Sequence, residues 1–127
     1  MKIWVDDVRP APEGYVWCKS VNEAKQKIIG LEKQLQFIET KANEAFKTYD
    51  TITSKQIRKL AKGREIELID VDHDAGDCVE DGGDYIKILD WLEETGYSYP
   101  IRIHSMNPVG IENMKRIIER NKWKLVK

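Results

Sequence analysis

Three short apolar runs that stop abruptly in acidic residues or histidine constrain this chain most. Lys2 to Val5 runs into Asp6-Asp7, residues 65–72 end in Asp72-His73-Asp74, and residues 100–104 end in His104-Ser105, followed by Asn107. Runs this short, bounded by polar residues, read as buried strands. A further strand is expected at Tyr15 to Cys18, and an edge strand at 123–126. Between them lie segments of helical period. Strands alternating with helices imply a parallel sheet flanked by helices. In such sheets ligands bind outside the carboxyl ends of the strands, so the three charged endings are expected to meet at one edge.

The clearest periodicity is a heptad-like stripe. Val21, Ala24, Ile28, Leu31, Leu35, Ile38, Ala42, Ala45, Tyr49 and Ile52 recur in steps of three and four. The spacing predicts a long helix over 21–49, opened by the capping box Ser20/Glu23, with Gly30 as a weak point. A second capping box, Thr53-Ser54-Lys55-Gln56, predicts a shorter helix over 54–62 that Gly63 stops. Residues 76–83 read as a flexible acidic loop, 84–95 as a helix stopped by Gly96, and 108–120 as a helix with proline at its first position.

Composition excludes several classes. The 127 residues suit one domain, 1–127. Twenty-one Lys and Arg nearly balance 22 Asp and Glu, so charge gives no case for nonspecific nucleic-acid binding. No apolar run reaches membrane-spanning length and the N-terminus lacks a signal-peptide pattern, so a cytoplasmic location is expected. Cys18 and Cys78 are far apart and read as reduced thiols.

Clustered carboxylates repel one another, and a divalent cation resolves the conflict. Oxygen ligands favour Mg²⁺, with Mn²⁺ the alternative if a histidine joins. His104 is the candidate general acid or phosphate contact, with His73 assigned a structural part. Ser105, Asn107 and the amides opening the 108–120 helix form a candidate anion cradle. Asp70, Asp72, Asp74 and Asp81 also match positions 1, 3, 5 and 12 of a calcium loop, but Ala75 stands where that loop needs glycine.

Four segments in order resemble the cyclic-phosphate processing receiver-like family. They are the stretch from Lys2 to Trp17, Val71-Asp-His-Asp-Ala-Gly, Gly83-Asp-Tyr-Ile-Lys-Ile-Leu-Asp-Trp, and Ile103-His-Ser-Met-Asn-Pro-Val-Gly-Ile-Glu-Asn-Met. The resemblance implies a flavodoxin-like α/β fold and action on a cyclic phosphate of a nucleotide or RNA end. By matching motif it implies a site of Asp6, Asp7, Arg9, Asp72, His73, Asp74, Asp84, His104, Ser105 and Asn107. Two departures stand out. Receivers end their fifth strand with a lysine, and here the sequence reaches Lys127 with only a weak fifth-strand pattern. Residues 31–63 are also longer than the family's link and carry the stripe, as a helical hairpin or a homodimer seam.

The leading expectation is a metal-dependent phosphoesterase. Asp6, Asp7 and Asp72 hold the ion, Asp72 or Asp74 shares in the chemistry, and His104 protonates the leaving oxygen. Arg9, Asp84, Ser105 and Asn107 hold the substrate. On this reading Asp72→Asn and His104→Ala abolish hydrolysis while the fold survives. A non-catalytic signalling receiver and a nucleotide- or protein-binding module are the alternatives.

Overall fold

The computed structural model describes residues 1–48 and 50–127. Its elements, in order, are β1 (Lys2–Val5), β2 (Tyr15–Cys18), α1 (Val21–Lys47), α2 (Thr51–Lys59), β3 (Leu68–Val71), α3 (Ile86–Thr95), β4 (Ile101–Ile103), α4 (Pro108–Arg120) and β5 (Leu125–Val126). The five strands form one sheet in the order β2-β1-β3-β4-β5, and every pairing is parallel. This is the flavodoxin-like α/β arrangement. No described helix is long and apolar enough to cross a membrane.

The sheet is central because its middle strand, β3, is buried along its whole length. Every residue of β3 is buried, as are Ile3 and Val5 of β1. They pack with Val21, Ala24, Ile28 and Leu31 of α1, Ile88, Leu89 and Leu92 of α3, and Met114, Ile117 and Ile118 of α4. The strand order reverses direction between β1 and β3, and that switch point opens the crevice at their carboxyl ends.

The stripe divides in two. Its first half, through Leu31, faces the sheet core, while Ile38 and Ala42 are buried further along the same helix. There α2 folds back on α1. Ser54 Oγ donates to the Ala42 carbonyl at 2.9 Å, and Arg58 donates to Asn43 Oδ1 at 2.8 Å. The 31–63 stretch is thus a hairpin in this structure. Ile52, expected on the stripe, is 72% exposed because the chain breaks between the helices. Tyr49, also on the expected stripe, lies outside the described residues.

Local chemistry moves several boundaries. Thr53 does not cap α2; Asp50 does, with Oδ1 accepting from the Thr53 amide at 2.9 Å, so the helix begins three residues early. Ser20 caps α1 as expected, accepting from the Glu23 amide at 3.0 Å. The 76–83 segment is anchored, not free. Ser20 Oγ and Asn22 Nδ2 donate to the two oxygens of Asp81 at 2.5 and 3.0 Å, and the Asn22 amide donates to the Asp81 carbonyl at 3.1 Å. An acidic side chain at a helix N-terminus is favoured electrostatically.

Gly30 does not interrupt α1, and a methyl group there would meet nothing within 4 Å. Gly30→Ala is therefore expected to stabilise the chain by about 0.5–1 kcal/mol, read by denaturant unfolding, because it removes backbone freedom from the unfolded state.

Candidate functional site

Strand register assembles the site. Val5 pairs with Val71, and Val71 with Ile103. The next residues therefore lie side by side, tied by Asp72 N–H to the Val5 carbonyl and His104 N–H to the Val71 carbonyl, both 3.0 Å. Asp6, Asp72 and His104 thus share the carboxyl edge of the sheet.

Asp6 is 1% exposed and heavily engaged. Its Oδ1 accepts from the amides of Val8 and Arg9, both at 2.9 Å. Its Oδ2 faces His104 Nε2 at 3.0 Å and Arg9 Nε at 3.8 Å. Burial pushes the Asp6 carboxyl up, but the Arg9 and Val8 amides and the His104 ring together hold it below its usual value.

The other nitrogen of His104, Nδ1, lies 2.6 Å from Asp70 Oδ1. Asp70 is also 1% exposed, and its second oxygen is 3.9 Å from Arg102. The His104 ring stacks on Trp4 at a centroid distance of 3.7 Å and an interplanar angle of 6°. Both ring nitrogens therefore serve buried carboxylates, and one ring face is covered. His104 was expected to protonate a leaving oxygen, yet here it presents no unengaged nitrogen to a substrate. Asp70 and Trp4 were missed as site residues. The signal for Asp70 was a lone charge inside an otherwise apolar strand, which requires a partner.

Asp6, Asp7 and Asp72 each bring one carboxylate oxygen within 4.8 Å of the others. Asp7 and Asp72 are partly exposed, so this cluster opens to solvent on one side. The donor set is all oxygen, which fits a hard divalent cation such as Mg²⁺ or Mn²⁺. Asp7 reaches its position because Gly76 has no side chain: a Cβ there would lie 2.1 Å from Asp7 Oδ2.

The remaining expected residues divide. Arg9, half exposed, donates to the His104 carbonyl at 3.2 Å and stands at the rim. Ser105 Oγ accepts from the Asn107 amide at 3.1 Å. Asn107 caps α4, its Oδ1 accepting from Gly110 at 3.0 Å. These bonds occupy much of the expected anion cradle. Asp84 Oδ1 accepts from the Ala75 amide at 3.0 Å and closes the loop before α3. Asp74 is exposed, and its Oδ1 lies 2.8 Å from His73 Nδ1. The calcium-loop alternative finds no cage. Asp70 serves His104, Asp74 serves His73 and Asp81 serves Ser20 and Asn22, so among the described residues these carboxylates do not converge.

Cys18 ends β2 at 2% exposure. Burial, reinforced by Glu23, pushes its thiol up to about 11. Alkylation of the native chain at neutral pH is expected to label the partly exposed Cys78 and spare Cys18 until denaturant is added, as peptide mass mapping would show.

No curated protein and no solved structure matches the chain. A family model does, over residues 1–120: that of the cyclic-phosphate processing receiver domain. The match spans all but the last seven of the 127 residues, including every residue of the carboxylate cluster and both histidines. With the parallel sheet and the acidic edge just described, this places the chain in the cyclic-phosphate processing receiver domain family.

Proposed function

We propose that this chain is a divalent-metal-dependent phosphoesterase that opens a cyclic phosphate on a nucleotide or an RNA end. The observation that carries the reading is the three-carboxylate cluster at the β1/β3 switch point of a domain whose family is described by cyclic-phosphate processing. Asp6, Asp7 and Asp72 would hold Mg²⁺ or Mn²⁺. When bound, such an ion polarises a phosphoryl oxygen and acidifies water.

The chain's own residues do the rest. Arg9 supplies a half-exposed guanidinium at the rim, suited to pairing with phosphate oxygens. Ser105 and Asn107 shape the turn that starts α4 beside it. His104 fixes Asp6 in place from behind, with Asp70 and Trp4 fixing His104 in turn. Three carboxylates held this close repel one another, so they are poised to take up a cation.

The test is phosphorus NMR on a panel of cyclic-phosphate nucleotides and RNA ends. Conversion to a monoester with Mg²⁺ or Mn²⁺, stopped by chelation, is the expected result. Absence of conversion across the panel with either metal would sink the proposal. A second reading is a signalling receiver in which Asp72 accepts a phosphoryl group. It is favoured by the partial exposure of Asp72 beside the Asp6-Asp7 pair. Intact mass after incubation with a small phosphodonor and Mg²⁺ separates the two, since only the receiver gains a stable phosphoryl mass.

A further inference from the structure

Parallel sheets are ordinarily covered by helices on both faces. Here α1, α3 and α4 share one face. Side chains alternate along a strand, so register points Ile3, Val5, Ile69, Val71 and Ile101 the same way. These are the residues of β1, β3 and β4 that join the three helices in the core. The opposite face carries Lys2, Trp4, Tyr15, Trp17, Asp70 and Arg102, again set side by side by register. Neither its three aromatic rings nor Leu68, which lies on the same face, belong to that core. The link from β1 to β2, residues 6–14, contains no helix to lie there.

This helix-free face has a chemistry of its own. Lys2 is exposed, and Arg102 is 49% exposed. Asp70, the one carboxylate among the six, is 1% exposed and held by His104. The accessible charge of the six is therefore positive, although the chain as a whole is nearly balanced. Between the cations lie the half-buried rings of Trp4, Tyr15 and Trp17. Trp4 is braced by His104 on one side and by the edge of Tyr15, and its Nε1 donates to the Arg9 carbonyl at 2.9 Å. The face also leads into the carboxylate cluster. Trp4 stands two residues before Asp6, and Arg102 two before His104, about 7 Å at strand spacing.

We infer that the helix-free face binds the unpaired nucleotides of a single-stranded RNA whose cyclic-phosphate end lies at the acidic edge. The preferred substrate is then an oligonucleotide end, not a free cyclic nucleotide. This rests on the phosphoesterase reading for the position of the RNA end, but not for binding of the strand. A cyclic phosphate at a chain end closes on neighbouring 2′- and 3′-hydroxyls, so the strand is RNA. Cations that meet a phosphodiester backbone, with aromatic surface between them for the bases, are what a single strand requires. A second copy packed face to face would instead set Lys2 and Arg102 against cations.

Fluorescence anisotropy with end-labelled RNA ending in a plain 3′-hydroxyl, in metal-free buffer, reads this face without turnover. On the native full-length chain a single-stranded octamer should bind about 10-fold or more tightly than a mononucleotide. Lys2→Ala and Arg102→Gln should each weaken octamer binding. Each should also lower the slope of log affinity against log salt by about 0.7, the share of one phosphate contact. Lys2 is exposed, so Lys2→Ala should keep the native urea midpoint, and its loss of binding reports on the face alone. Equal affinity for octamer and mononucleotide, native binding by both variants, or equal binding of a polyglutamate peptide would overturn the inference. So would a dimer that Lys2→Ala dissociates, because a second copy would then occupy the face. If the octamer binds as expected but no cyclic phosphate is opened, the phosphoesterase reading fails and the RNA surface stands. If cyclic mononucleotides are opened and the octamer gains nothing, that reading stands and the inference falls.

Discussion

His104→Ala is expected to destabilise the native chain by about 3–5 kcal/mol, because it breaks a buried charge network by removing one partner. Asp6 and Asp70 are each 1% exposed, and the His104 ring is the group that touches both. Without it, Asp6 keeps two amide hydrogen bonds, while Asp70 keeps only Arg102 at 3.9 Å. The stacking on Trp4 is lost as well. Urea unfolding followed by tryptophan fluorescence gives the magnitude. Adding Asp70→Asn to His104→Ala should recover part of the loss, since it removes the charge left without a partner. A His104→Ala chain as stable as the native one would show that the network contributes nothing. A loss of that size would run against the sequence-based expectation that this substitution spares the fold.

Asp72→Asn is expected to act with opposite signs in the absence and presence of metal. In metal-free buffer it relieves repulsion among three carboxylates whose oxygens lie within 4.8 Å, so the variant should unfold at higher urea than the native chain. Asparagine retains an oxygen to accept the His73 amide, so the local backbone bond survives. With Mg²⁺ the order should reverse. A ligand that binds only the native state at 100 times its Kd stabilises it by about 2.7 kcal/mol, and the variant forfeits most of that. Its hydrolysis of a cyclic phosphate should fall by a factor on the order of 100 or more. Equal stability of the two chains with and without Mg²⁺ would contradict this.

The sequence carried the fold because its signals were local and mutually consistent. Apolar runs such as Ile3 to Val5 and the stripe from Val21 to Leu31 each require burial, and only a parallel sheet with flanking helices buries them all. The charged strand endings were legible for the same reason: register carries Asp6, Asp72 and His104 to one edge. What each side chain does there was not legible. Asp70 looked like part of a strand, and its partner lies 34 positions away, just past the end of β4. The engagement of His104 was not legible either, because Asp6 and Asp70, which meet its two nitrogens, lie far from it in sequence. Thr53 misled as a cap because Asp50, three residues earlier, accepts from the Thr53 amide and starts the helix there. Asp81 looked like a free loop acid until the folded chain placed it on the N-terminus of α1.

The central claim is that Asp6, Asp7 and Asp72 together hold a divalent cation. Calorimetric titration of the native chain with Mg²⁺, repeated on Asp72→Asn, tests it most directly. One ion per native chain, with binding lost or weakened by a factor on the order of 100 in the variant, is the predicted result. Equal binding by the two chains, or none by the native one, would contradict it.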